Sequence, residues 1–157
     1  MTVRLEPFGE ADFDRLIGWI PDAACLLQWA GPSFAFPLDR AQLSRHLEAA
    51  RAALPTLVPC RAVKSATGEV FGHVELANLQ RAHGSAVLCR VLVGPTDERG
   101  RGLGRQMVRR VLRLGFADLG LHRISLNVFT HNRAALACYQ SLGFRVEGTA
   151  RESCRVG

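Results

Sequence analysis

The sequence predicts an α/β fold built on one mixed sheet, and three observations carry that expectation. Three strand-like runs follow one another between Leu57 and Val93, a run of helical periodicity from Leu103 to Leu119 comes next, and strand and helix patterns alternate from there on. The order is β, helices, β-β-β, α, β, α, β, without repeats or low-complexity stretches. Over residues 1–157 this reads as one domain, long enough to bury a core.

Val3-Arg4-Leu5 begins as a short strand that stops near Pro7. Phe13, Leu16, Ile17 and Ile20 then recur at helical spacing from Ala11 and end before Pro21, where a helix cannot continue. A second helical piece covers Asp22 to Trp29 and breaks at Gly31-Pro32; a third starts at Asp39, runs through Leu43, Leu47 and Ala50, and ends before Pro55. Leu57–Ser65 and Glu69–Leu79 form a hairpin across Thr67-Gly68, and a third strand runs from Ser85 to Val93. In the helix over 103–119, Leu103, Met107, Val108, Val111 and Leu112 share one side, while Arg105, Arg109 and Arg113 lie on the other. Arg109 and Arg113 read as a solvated face; Arg105, in the first turn, is within reach of a phosphate. Gly120 stops this helix, Arg123–Phe129 is a strand, and Asn132 caps a helix that runs to Leu142. Gly143 sits at its left-handed stop, with Phe144 supplying the apolar contact beyond.

Composition excludes several classes. Hydrophobic residues make up 48% and charged residues 22% of the chain, as in an ordinary globular domain. No apolar run is long enough to span a bilayer, and the start M-T-V-R-L-E-P lacks a basic-then-apolar leader, so a cytoplasmic protein is expected. The five cysteines are widely spaced and never in C-x-x-C pairs, which fits neither a disulfide framework nor a zinc site, and no metal is expected. The net charge is +6 and almost all of the positive charge is arginine, Lys64 being the only lysine. That charge suits an anionic ligand, but nothing resembles a nucleic-acid-binding motif.

Between the strand ending at Val93 and the helix opening at Leu103 lies G-P-T-D-E-R-G-R-G, with a further glycine at Gly104. A helix N-terminus presents unpaired amides and about half a positive charge; glycines let an anion approach the backbone, and Arg99 and Arg101 add forked donors. The spacing is neither the G-x-G-x-x-G of dinucleotide sites nor the G-K-[ST] of Walker loops. What remains is R-x-x-G-x-G, Arg99 to Gly104, a grip for a polyphosphate.

This loop, together with N-R-A-A-L-A-C-Y-Q-S-L-G-F at Asn132–Phe144, resembles the GNAT superfamily of acetyl-CoA-dependent N-acetyltransferases over almost the whole chain. The stretch L-E-P, a helix containing W-I, then Q-W-A-G-P and F-P-L look like the branch that acetylates N-termini of ribosomal proteins. The resemblance implies a single, mostly antiparallel sheet, splayed at its centre, with helices on both faces. It implies acetyl-CoA as cosubstrate, with pyrophosphate on Arg99, Gly100, Arg101, Gly102, Leu103 and Gly104 and the pantetheine arm on the backbone of Val91, Leu92 and Val93. One of those amides would polarise the thioester carbonyl. Asn132 would lie close to the cofactor arm as well as capping its helix. Tyr139, two helical turns on and on the same face, would be the acid that protonates the departing thiolate.

A primary amine, a protein N-terminus or a small molecule, is the expected acceptor, and it must lose a proton before it attacks. Glu75, acting through a water, is the first choice of base and His73 the second; they share a strand face at i, i+2. The family pattern continues past Phe144 through two strands, whereas here R-V-E-G-T-A-R-E-S-C-R-V-G ends at Gly157. The final strand is therefore expected to be missing, leaving an edge from about Arg145 to Ser153: either the chain is truncated, or a partner protomer in a homodimer or another segment covers that edge. Two other readings stay open: an acyl-CoA-binding module without turnover, and a basic RNA- or ribosome-associated protein.

Overall fold

The computed structural model of the protein describes residues 2–128 and 132–145. Its sheet has five strands in the order of the sequence: β1 (Val3–Pro7), β2 (Val58–Lys64), β3 (Val70–Gln80), β4 (Ser85–Val93) and β5 (Arg123–Ser125). The first four pair antiparallel and β5 joins β4 in parallel. The β2–β3 hairpin turns where expected, with Gly68 at φ 76° and its amide donating to Lys64 O at 2.8 Å.

Three helices precede the hairpin: α1 (Phe13–Gly18), α2 (Ala23–Ala30) and α3 (Arg40–Arg51). Asp22 caps α2 by accepting from Cys25 N at 2.7 Å, and Asp39 caps α3 by accepting from Gln42 N at 2.9 Å. After the sheet's third hairpin strand come α4 (Leu103–Arg113) and, beyond β5, α5 (Arg133–Ser141). Asn132 caps α5 through Ala135 N at 3.2 Å, Gly143 follows at φ 102°, and Phe144 N donates back to Tyr139 O at 3.1 Å.

Both faces of the sheet are covered. Phe71 to Leu76 of β3 are all buried, a continuous run that an exposed face would interrupt. Alternate residues go to opposite layers. A Cβ on Gly72 would stand 2.8 Å from Met107 Sδ of α4, while His73 and Glu75 meet Trp29 of α2 and His46 of α3. Under α4, the side chains of Leu103, Met107, Val108 and Val111 are withdrawn from water, each contributing roughly 1.5–3 kcal/mol of burial. On the opposite face Phe13, Leu16, Leu26, Leu43 and Leu47 form a second core.

Two element boundaries differ from expectation. The helix expected over 103–119 is α-helical only to Arg113 and then widens into a π-turn over Leu114–Asp118. Gly115 lies in that turn, where a Cβ would stand 2.5 Å from Ile124 Cδ1 of β5, so the chain broadens where it meets the strand. The strand expected over 123–129 is paired only through Arg123–Ser125. The last strand and the edge expected from Arg145 to Ser153 lie, from residue 146 on, outside the described residues. No helix among the described residues is long and apolar enough to cross a membrane.

Candidate active site

The short β4–β5 pairing opens the sheet. Ser85, Ala86 and Val87 pair with Arg123, Ile124 and Ser125, after which the two strands part, so among the described residues the β4 backbone from Leu88 to Val93 has no strand on that side. On its other side, β4 carries an extra residue. The register runs from His73↔Leu92 to Glu75↔Cys89, so three steps of β4 match two of β3. The bulge holds Arg90 at φ 50°, a left-handed conformation that costs a non-glycine residue on the order of 1–3 kcal/mol.

A cleft of about 400 Å³ occupies the gap. One wall is Cys25, Gln28 and Trp29 of α2, the floor is Leu88–Val93 of β4, and the far wall is Asn132, Ala135 and Tyr139 of α5 with Leu126–Val128. Arg99 closes one end, its Nε donating to Val93 O at 2.8 Å and its Nη2 to Gly94 O at 3.3 Å. Val91, Leu92, Val93, Arg99, Asn132 and Tyr139 thus meet in one place. Tyr139 is half-buried and packs edge-on to Phe144 at 5.9 Å. Burial, reinforced by neighbouring Cys138, pushes its phenol up to about 12, so it is protonated at neutral pH and available as a donor.

The glycine loop stands beside this cleft. Gly100 (φ 79°) and Gly102 (φ 82°) need glycine for their backbone conformation. Gly104 does not: it lies in the first turn of α4, where a Cβ would make an ordinary 3.5 Å contact with Val93 Cγ2. Gly102 is the N-cap of α4 and no side chain caps the helix, which leaves its first amides unclaimed by side chains. Gly100 and Arg101 are exposed, and Leu103 points into the core. The preceding turn is held by Lys64, whose ammonium bridges Glu98 and, at 3.4 Å, Glu69. Beyond the loop a groove of about 630 Å³ runs between α4 and β1, lined by Gly102, Arg105, Arg109, Arg110 and Arg113.

Glu75 does not line the cleft; it lies behind Arg90, 1% exposed. Its Oε1 accepts from His46 Nε2 at 2.9 Å and Arg90 Nη1 at 3.0 Å, and its Oε2 from His73 Nε2 at 2.6 Å. Burial alone would raise its pKa, but the hydrogen bonds from His46 and His73 and the charges of His73 and Arg90 outweigh that and hold it well below the usual carboxylate range. A buried, triply bonded carboxylate of that kind is poorly suited to the base role expected of it. His73, the second choice, is equally enclosed, with Nδ1 buried and unpartnered. Sequence reasoning passed over Arg90, His46 and Trp29. Arg90 did leave a signal, as the lone charge inside the apolar run A-V-L-C-R-V-L-V.

The chain belongs to the acetyltransferase (GNAT) family, whose model matches residues 23–144. It is 34% identical over 86 residues to the spermidine N(1)-acetyltransferase of Vibrio cholerae, covering 55% of this chain and 49% of that protein. To an L-amino acid N-acetyltransferase of Escherichia coli it is 29% identical over 85 residues, 54% of this chain and 52% of that one. The match spans about half the length of these curated relatives. The crystal structure of the V. cholerae spermidine N-acetyltransferase in complex with CoA and spermine superimposes with a TM-score of 0.84, covering 99% of this chain and 88% of that one at 20% identity, which shows a shared fold. A dodecameric structure of the same enzyme aligns with a TM-score of 0.74 at 22% identity, over 97% of this chain and 84% of that one. The relatives named here are acetyltransferases of spermidine and of amino acids, and they do not specifically support the ribosomal-protein branch suggested by the N-terminal segments.

Proposed function

We propose that this protein transfers the acetyl group of acetyl-CoA to a primary amine by direct attack. The observation that carries this reading is the parted β4–β5 pair: a strand edge at Val91–Val93, unpaired among the described residues, opens into the same cleft as Asn132 and Tyr139, in a chain of the acetyltransferase family. The site suits coenzyme A. An extended amide-bearing arm fits a free strand edge, and a pyrophosphate fits the uncapped start of α4 behind left-handed Gly100 and Gly102.

Acetyl-CoA supplies a thioester whose carbonyl carbon takes the amine's electron pair while the thiol leaves. The chain's own residues do the rest. An amide of the β4 edge donates to the carbonyl oxygen as charge builds there. The Tyr139 hydroxyl, neutral at working pH, donates to the departing sulfur. Glu75, with His46 and His73, holds Arg90 and the bulge in place and leaves the amine's proton to solvent. The acceptor is a small amine, a reading supported by the spermidine and amino-acid acetyltransferases among its relatives. Self-association is part of the proposal and is supported by the dodecameric relative.

Calorimetry with coenzyme A, followed by thiol release from acetyl-CoA across an amine panel, tests this reading. Binding with amine-dependent thiol release is the expected result. Binding without release would leave an acyl-CoA-binding module, and no binding at millimolar ligand would overturn the assignment of the loop and the cleft.

A further inference from the structure

Resting on the acetyltransferase reading above, we propose that the acceptor is an amine carrying a carboxylate close to its amino group, held through Arg90, and not a polyamine. Among the described residues, the cleft is lined by two charged side chains, Arg90 and Arg99, and by no aspartate or glutamate. A polycation needs carboxylates to replace its hydration. Among the described residues, the acids beside the cleft are already engaged: Glu75 is buried behind Arg90 and accepts from three donors, and Asp22 caps α2 through Cys25 N at 2.7 Å.

The two arginines divide the cleft. Arg99 is turned back onto the carbonyls of Val93 and Gly94 at the loop end. Arg90 stands at the other end, 14% exposed, with its guanidinium over the Phe34 ring at 5.9 Å. Its Nη1 donates to Glu75 and to Cys89 Sγ at 3.0 Å, while its Nη2 donates only to Ser33 Oγ at 3.1 Å. Among the described residues one Nη2 hydrogen is therefore free for a carboxylate oxygen, in a guanidinium held by its other bonds. The backbone adds an independent pointer: Arg90 is held left-handed in mid-strand, a strained position of the sort that persists where a side chain must be aimed at a site.

Thiol release from acetyl-CoA tests this with four acceptors: L-methionine, L-methioninamide, spermidine, and a tripeptide amide beginning with aspartate. The expected kcat/KM for methionine, for the aspartyl peptide, or for both exceeds that for methioninamide and spermidine by at least about tenfold. The methionine and peptide arms separate a free amino acid from an acidic peptide N-terminus. In Arg90→Gln, KM for the favoured acceptor rises about tenfold or more and the acid-over-amide preference disappears, with coenzyme A affinity retained; Arg90→Lys keeps part of the preference. Should Arg90→Gln fail to fold, the acid-to-amide ratio of the unaltered protein decides alone. Spermidine or methioninamide used as well as the acids overturns the proposal, as does coenzyme A binding with no turnover of any acceptor. Absence of coenzyme A binding would instead overturn the acetyltransferase reading beneath it.

Discussion

His73 Nε2 donates to Glu75 Oε2 at 2.6 Å across two residues of a single strand, and both side chains are sealed from solvent. Neighbours at i, i+2 share a strand face, and here that face is closed by Phe8, Trp29 and His46. The carboxylate is the common acceptor for three elements: α3 through His46, β3 through His73 and the β4 bulge through Arg90.

Glu75→Gln should accordingly damage the fold more than a surface change would. It leaves the Arg90 guanidinium without its buried counter-charge, and breaking such a pair costs about 3 kcal/mol or more. Urea unfolding measures it; a loss below about 1 kcal/mol would show that the network is not holding the bulge.

Acid should destabilise the protein, and the sign follows from two carboxylates. Glu75 is depressed as described, and Asp12 is too: burial raises it, but hydrogen bonds from Arg15, Gly9 N and Arg61 prevail. A folded-state pKa below the unfolded one gives stability that is complete above the unfolded value, about 4, and is lost progressively as pH falls below it. Melting temperature should therefore drop steeply from pH 5 toward pH 3, and the drop should be shallower in Glu75→Gln. An equal slope in both proteins would remove Glu75 from the acid response.

Tyr139→Phe should lower kcat by about 100-fold, as expected for loss of an acid–base group, with little change in coenzyme A affinity. The ring's packing against Phe144 is preserved in this variant, so stability should hold. An unchanged kcat would take the hydroxyl out of the chemistry.

Loop glycines should separate by conformation. Gly102→Ala forces a side chain into φ 82° and should cost about 1 kcal/mol or more along with coenzyme A affinity. Gly104→Ala places a methyl in ordinary contact inside a helix and should be neutral or slightly stabilising. Equal effects on calorimetric affinity would mean that the left-handed backbone is not what shapes the loop.

Gly94→Ala probes the end of β4. An added Cβ would lie 2.0 Å from the Trp19 ring, so the indole must move, at about 1–3 kcal/mol. Tryptophan fluorescence should shift to the red along with the loss of stability. Native-like emission would place Trp19 elsewhere in solution.

Much of this molecule was legible in its sequence, for reasons that are local. β4 ends at Val93 as expected because Pro95, one residue beyond Gly94, has no N–H to carry the ladder on, and α5 begins and ends as expected because Asn132 and Gly143 carry their capping chemistry with them. The meeting of Val91–Val93, Arg99, Asn132 and Tyr139 followed from motif order. What was not legible depends on distant partners. Glu75 looked like a strand residue facing solvent or substrate, and its three donors come from positions 46, 73 and 90. The bulge at Arg90 exists only relative to the register of β3, and the π-turn at Leu114–Asp118 lies where Gly115 comes up against Ile124 of a distant strand.

The anchoring of Lys64 to Glu98 and Glu69 has a chemical consequence under the proposed acetyl-CoA chemistry. Lys64 is the chain's sole lysine, and its ammonium is withdrawn into two ion pairs beside the loop, which raise its pKa, chiefly through Glu98. Histidines apart, the remaining cationic side chains are guanidiniums, which stay protonated and do not act as nucleophiles at neutral pH. The protein thus carries its positive charge with its sole lysine amine tied up in ion pairs, which disfavours acylation of that amine by a bound thioester.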